Sequence, residues 1–255
     1  TDFWTTTSDT AHSLYVGSYG RNTAIAGFSD VDMIFQLPYS EYVRYNNYAG
    51  NGQSALLQSV KNTIEKTYKS YMRADGQVIV IKFTDGIIFE VVPAFINTDN
   101  TYTYPDTHAG GSWKITDPKS EITEMNMYNN LYNKNLKRLC RMARAWKDTW
   151  SVPIGGLLID TLAYNFLKNN DYRDKGYTYY DWISRDIFEY VKDQNEQSYW
   201  LALGSKQQVR SKGLFQYKAL RCYNIALEAI ESAKNNYDYT AKSKWREIYG
   251  TKFPN

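Results

Sequence analysis

A glycine turn followed by a pair of aspartates constrains this chain more than any other feature of its sequence. Gly17 and Ser18 follow a short apolar run, and Asp30 and Asp32 stand at the head of another, Met33-Ile34-Phe35. Residues i and i+2 of a strand face the same side, so both carboxylates point one way. The glycine lets backbone N–H groups come close to phosphate oxygens. The pattern therefore predicts phosphate and metal chemistry at the start of one strand.

A third carboxylate is expected from a neighbouring strand. Two like charges held together are unfavourable unless a cation neutralises them, and oxygen ligands suit Mg²⁺. A site for two Mg²⁺ ions normally needs a further carboxylate, and Glu90 is a lone acid in the apolar run 86–95. Residues 77–83 are predicted as its hairpin partner, with a turn at residues 84–86. The alternative is a surface glycine turn and an N-capping aspartate pair.

The whole string GSYGRNTAIAGFSDVD, together with the later EVVPA, resembles the CD-NTases. These are bacterial relatives of cyclic GMP-AMP synthase and oligoadenylate synthetase, which join nucleoside triphosphates into oligonucleotide signals. The resemblance implies an α+β fold: a polymerase-β-like nucleotidyltransferase core with a mixed sheet at residues 1–120, then a helical, oligoadenylate-synthetase-like domain at residues 121–255. The active site is expected in the cleft between them. The family's long N-terminal helix has no counterpart before residue 12, so we expect the numbering to begin late in the fold.

The resemblance also implies roles for the motif residues. Asp30 and Asp32 are expected to hold two Mg²⁺ ions, which Mn²⁺ can replace, and Glu90 to hold the ion nearest the attacking hydroxyl. The turn residues Gly17 and Ser18 are expected to contact the triphosphate. Arg21, from the same motif, is assigned to nucleotide binding as well.

A basic stripe runs along the predicted helix at residues 134–147. Lys137, Arg141 and Arg144 share one face, opposite an apolar stripe. A solvated face is the alternative, but these charges are almost all of one sign. The stretch also resembles the family helix that holds the triphosphate tail, with Arg144 where Lys is common. We therefore interpret Arg144, with Arg141, as nucleotide-binding, since Arg makes bidentate contacts to phosphate.

Composition excludes several classes of protein. The chain has 255 residues, a net charge of +3, two cysteines and two histidines. The two Cys lack CxxC spacing, which argues against a zinc site and fits a reduced, cytoplasmic protein. No membrane span is predicted. The small net charge and the missing zinc-ligand cluster give no support to a nucleic-acid activator.

The predicted function is synthesis of a cyclic di- or trinucleotide second messenger. A sugar hydroxyl would attack the α-phosphate of a nucleoside triphosphate, with ATP an expected substrate, and pyrophosphate would leave. A separate effector protein would read the product, in bacterial anti-phage signalling. Two alternatives stay open: an RNA-tailing or toxin-type nucleotidyltransferase on the same fold, and an inactive nucleotide-binding module. The sequence does not set base identity, linkage or ring size.

The remaining pattern predicts secondary structure. Loops are expected at residues 39–52 and 97–111, the second with a turn at residues 104–106. Helices are expected at residues 53–71, from 126 onward, and at 155–166, 181–191 and 213–233.

Overall fold

The computed structural model describes residues 3–6, 8, 10–27, 30–196, 199–251 and 253–254. The chain divides into two compact units. The first holds Thr1–Arg21 and Ser29–Ile122, and the second holds Asn22–Phe28 and Thr123–Asn255. This division lies close to the predicted boundary at residue 120. It differs from the prediction in giving a short segment between the glycine turn and the aspartates to the second unit.

The first unit is built on a mixed sheet. Its described strands are β1 Ser13–Tyr15, β2 Val31–Gln36, β3 Tyr71–Asp75, β4 Val78–Lys82, β5 Ile88–Ile96, β6 Tyr102–Asp106 and β7 Ser112–Thr116. The order is β1-β2-β5-β4-β3, with β6 beside β5 and β7 beside β6. β2 and β5 run parallel, and the other pairs are antiparallel. The predicted hairpin around residues 84–86 is confirmed as β4 and β5.

Three helices belong to the same unit: α1 Gly17–Gly20, α2 Tyr39–Asn46 and α3 Gly52–Thr67. The Asn51 side chain caps α3 by accepting from the backbone N–H of Ser54. The apolar face of α3 supplies Leu56 and Val60, both 0% exposed, to the core under the sheet. Apolar side chains of β4 and β5 complete this core, which fixes the position of both strands.

Three local predictions were wrong. The expected loop 39–52 contains α2, because its Tyr45 is buried in the core and this packing outweighs weak helix propensity. The expected helix 53–71 ends at Thr67, and β3 follows it. The expected turn at residues 104–106 lies within β6. Pro105 is tolerated there because the pairing of β6 with β5 stops at Thr103.

A cluster of polar side chains closes the end of β6. Asp106, 4% exposed, accepts hydrogen bonds from Lys114, His108 and Gln77. Hydrogen bonds from Lys114 and then from His108 hold the pKa of the Asp106 carboxyl well below its usual range. The cluster therefore stabilises the β6–β7 pair through charge-assisted hydrogen bonds.

The second unit is helical. Its elements are α4 Pro118–Leu131, which begins in the first unit, then α5 Asn135–Thr149, α6 Gly156–Lys168, α7 Tyr180–Lys192, the short strands β8 Trp200–Leu201 and β9 Gln208–Val209, α8 Gln216–Lys234 and α9 Asp238–Tyr249. α4 starts with Pro118, whose missing N–H costs nothing in a first turn. The core of this second unit contains Leu136, Leu158 and Leu167, all 0% exposed. Cys140 and Cys222 are both buried. Among the described residues, no helix combines the length and apolar character that crossing a bilayer requires.

Candidate active site

The parallel pair β2–β5 places two of the predicted carboxylates side by side. In its register, Asp32 lies directly opposite Glu90. Side chains at paired positions of neighbouring strands stand on the same face of the sheet. Asp30 comes one residue before β2 and is exposed, whereas the other two carboxylates are partly buried. Asp32 and Glu90 thus lie together across β2 and β5, and Asp30 precedes the start of β2.

Electrostatics show that these acids interact. Burial, followed by the nearby charge of Glu90, raises the pKa of Asp32 to about 6, and Asp30 adds to the rise. Burial and then the Asp30 charge raise the pKa of Glu90. Like charges in a partly dry setting disfavour ionisation, which is the condition that a bound cation relieves.

The glycine turn lies in contact with this group. Gly17 has a φ of +58°, and a Cβ there would stand 1.9 Å from Oδ2 of Asp32. Only a residue without a side chain allows this approach. The backbone N–H of Val16 donates to the Asp32 carbonyl at 2.9 Å, and that of Ser18 donates to its carboxylate. The turn predicted from sequence is the single helical turn α1, held against β2.

The structure gives Arg21 a different environment from the one predicted. Its side chain is 4% exposed, and Nη1 lies 2.7 Å from Oε2 of Glu121, itself 4% exposed, on α4. A buried charge needs a partner, and Glu121 supplies one. The positive charge of Arg21 also lowers the pKa of Asp32. The role of Arg21 in nucleotide binding stays a prediction; the structure shows its guanidinium paired with Glu121 and its charge acting on the Asp32 carboxylate.

Arg144 lies in an environment that the sequence did not predict, and its role in nucleotide binding stays a prediction. It is 5% exposed rather than part of a solvent-facing stripe. Its Nη1 and Nη2 lie 2.5 Å and 2.9 Å from the two carboxylate oxygens of Asp160, which is 0% exposed. Nη2 also donates to the Gly156 carbonyl at 3.2 Å. The α5 face that carries Arg144 is therefore covered by α6, and its guanidinium is committed to a buried ion pair.

Arg141 remains at the surface of the same helix and is only partly buried. Its Nη2 donates to the carbonyl and to Oδ1 of Asn22, at 2.7 Å and 2.9 Å. Lys137, one turn earlier, contacts Oδ1 of Asn126 at 2.5 Å. Of the three residues of the predicted stripe, Lys137 and Arg141 are thus half-buried and Arg144 is buried.

Sequence reasoning missed Asp160, Thr23 and Glu121. Asp160 is the only acid in the sequence of α6, an otherwise apolar helix. A lone acid in such a run signals a buried partner, and it is the same signal that singles out Glu90 in β5.

The carboxylate donors of the candidate site suit divalent cations. Within the described ranges, no group of three or more His, Cys, Asp and Glu side chains is arranged to hold a metal ion. Carboxylate oxygens are the hard ligands that Mg²⁺ prefers. Their raised pKa values mark carboxylates whose charges lack compensation, which a cation would supply.

Solved structures that are similar to this chain define its fold. Escherichia coli MS115-1 CdnC with ATP has a TM-score of 0.64 at 13% identity, covering 95% of this chain and 84% of that chain. Vibrio cholerae DncV cyclic AMP-GMP synthase, in complex with the linear intermediate pppA(3′,5′)pG, has a TM-score of 0.70 at 19% identity, covering 95% and 69%. The fold is therefore the α+β nucleotidyltransferase fold, as predicted.

The family follows from sequence. The Second Messenger Oligonucleotide or Dinucleotide Synthetase (SMODS) domain matches residues 1–129. A probable cyclic nucleotide synthase of Bacillus cereus (strain VD146) is 23% identical over 278 residues, covering 93% of this chain and 81% of that protein. The chain belongs to the SMODS domain family and is a nucleotidyltransferase of the second-messenger synthetase kind. The resemblance to the CD-NTases is confirmed.

Proposed function

We propose that this protein joins nucleoside triphosphates, ATP among them, into a cyclic di- or trinucleotide in a reaction that depends on Mg²⁺. The observation that carries the proposal is the meeting of Asp32 with Glu90 across β2 and β5, with the Asp32 carboxylate against Gly17. Groups suited to cations and to phosphate therefore converge at one strand end. Membership of the SMODS family supports the same reaction class.

In this proposal Asp30, Asp32 and Glu90 hold two Mg²⁺ ions. Bound Mg²⁺ lowers the pKa of the attacking hydroxyl and neutralises charge on the triphosphate. Glu90 would hold the ion nearest that hydroxyl and would help to remove the proton of the hydroxyl. The Ser18 hydroxyl and the amides of α1 bind the β- and γ-phosphates, and Arg141 is kept as a contact to the triphosphate tail. The hydroxyl attacks the α-phosphate and pyrophosphate leaves.

One incubation tests the proposal. The pure protein is mixed with the four ribonucleoside triphosphates and Mg²⁺, and the products are identified by mass spectrometry. The Asp30→Asn/Asp32→Asn double variant serves as control, and Mn²⁺ and a chelator replace Mg²⁺ in parallel. A cyclic product from triphosphates alone supports the proposal. Extension that needs added RNA would favour the tailing alternative, and triphosphate binding without any product would favour the inactive module.

We further propose that the product acts in the bacterial cytoplasm, where the triphosphate substrates are found, and that a separate effector protein reads it during phage infection. This is tested by nucleotide extracts of bacteria that express the protein, taken before and after infection. A cyclic nucleotide that accumulates on infection with the native protein, and not with the double variant, is the expected result. Equal levels with both proteins would contradict the signalling role.

A further inference from the structure

The segment between the glycine turn and the aspartates is held by the helical unit. Arg21 belongs to the first unit and Asn22, the next residue, to the second. Asn22 has a φ of +54°, in the left-handed region that Asn tolerates better than most residues. The chain therefore turns sharply where it passes from α1 into the second unit.

Two sets of contacts fasten this segment. Arg141 donates to both the backbone carbonyl and the side chain of Asn22. The Thr23 hydroxyl donates to Oδ2 of Asp160 at 3.0 Å, and both side chains are 0% exposed. Arg144 binds both carboxylate oxygens of Asp160 and so fixes the acceptor of Thr23. A fully buried carboxylate satisfied in this way is a rigid attachment point.

We propose that Arg141, Arg144 and Asp160 form a clamp on Asn22 and Thr23 that positions the phosphate-binding turn, an inference that rests on the proposed nucleotidyl transfer. Arg144 and Asp160 are positioning residues: their polar atoms are used inside the helical unit. The clamp gives a reason why Arg144, on a strongly basic helix, forms a buried ion pair with Asp160.

The chain between clamp and turn is short. Arg21 is the C-cap of α1, its N–H bonds the Gly17 carbonyl, and Asn22 follows directly. A held Asn22 therefore fixes one end of the helical turn that carries the Ser18 hydroxyl. Preorganised groups bind a phosphate without first losing conformational freedom. Loosening the clamp should weaken triphosphate binding more than it slows the chemical step.

Thr23 offers a matched pair of variants. Thr23→Val keeps the shape and β-branching of the side chain and removes the hydroxyl that binds Asp160, whereas Thr23→Ser keeps the hydroxyl. Asn22→Gly and Asn22→Asp form a second pair: both tolerate the positive φ, and only Asp keeps a side-chain acceptor for Arg141.

The experiment measures KM for ATP and kcat with Mg²⁺, together with hydrogen exchange along the chain. Thr23→Val should raise KM by about tenfold or more, the factor that one hydrogen bond to a charged group typically controls. It should speed amide exchange at residues 18–27 and leave exchange in α5 and α6 unchanged. Thr23→Ser and Asn22→Asp should stay near the native values, and Asn22→Gly should follow Thr23→Val.

Two results would overturn the clamp. One is an equal effect of Thr23→Val and Thr23→Ser. The other is a KM change accompanied by faster exchange throughout α5 and α6, which would show general destabilisation. If the native protein makes no product, the proposed reaction fails, yet the exchange comparison and the binding of ATP with Mg²⁺ still decide whether the clamp orders residues 18–27.

Discussion

Replacing Gly17 by alanine tests the geometry of the candidate site most directly. The new Cβ would stand 1.9 Å from Oδ2 of Asp32, 2.6 Å from its Cγ and 2.9 Å from its Cβ. Real Cβ contacts essentially never fall under 3.0 Å, so turn and carboxylate must separate by about 1 Å or more. A misplacement of 1 Å can lower an enzymatic rate by about 100-fold. We expect Gly17→Ala to lose at least that much activity.

The backbone contributes a separate, smaller effect. Alanine at a φ of +58° destabilises the folded chain by roughly 1–2 kcal/mol. Gly50 is the matched control, since its φ is +96° and no described atom lies within 4 Å of the position that a Cβ would take there. Gly50→Ala should therefore carry similar strain without the collision.

The assay compares product formation and urea unfolding for both variants. Both should unfold at lower urea concentrations, and only Gly17→Ala should lose activity by the larger factor. Gly17→Ala with near-native activity would refute the close approach of Asp32 to the turn. Equal loss of activity in the two variants would assign the effect to backbone strain.

Three further predictions concern ionisable groups. Burial raises the pKa of Asp32 from 3.8 to about 6, a shift that corresponds to at most about 3 kcal/mol of stability and to less because the carboxylate is partly exposed. In the presence of a chelator, Asp32→Asn should therefore be more stable than the native protein at pH 8. Urea unfolding should show that this gain vanishes below about pH 4, where Asp32 is protonated in both the folded and the unfolded state. Arg144→Ala should lower the free energy of unfolding by about 3–5 kcal/mol, because the buried Asp160 carboxylate loses the guanidinium that neutralises it. A higher KM at native stability would contradict the ion pair. Hydrogen bonds from Lys114 lower the pKa of Asp106, so Asp106→Asn should lower the free energy of unfolding by about 1.5–3 kcal/mol at pH 7. A carboxyl with a lowered pKa stabilises the fold only above its unfolded pKa, so the difference between variant and native protein should shrink as the pH falls below about 4. Thermal unfolding at several pH values measures this difference, and a constant difference would contradict the reasoning.

The sequence was sufficient where chemistry and periodicity pointed the same way. The hairpin leading to Glu90 is rich in Val and Ile and has a glycine turn, and the structure contains it. The fold class was predicted from the resemblance to the CD-NTases, because a mixed sheet followed by helices is a property of the whole chain. The roles of the three acids stay predictions, but the sequence did place them together, since a period of two and a lone strand acid are local signals.

The basic residues could not be placed in the same way. A stripe of Lys and Arg on α5 shows which side chains share a face, but not what covers that face. Arg144 is buried because Asp160 lies on α6, and that pairing depends on how two helices pack. The β6 strand was missed for a similar reason. Its proline is typical of a turn, whereas its pairing with β7 depends on tertiary structure.

The parallel pairing of β2 with β5 also bears on how the protein reaches its native state. Parallel neighbours cannot be joined by a tight turn, and here α2, α3 and the strands β3 and β4 intervene between them. The antiparallel strands β3 to β5 are close in sequence and can associate early, whereas docking of β5 on β2 closes a long loop. The repulsion between Asp32 and Glu90 arises only at that docking step. A cation bound by the two carboxylates would therefore offset a repulsion that the unfolded chain does not have, and a nascent chain would complete the β2–β5 pair only after residue 96 has left the ribosome.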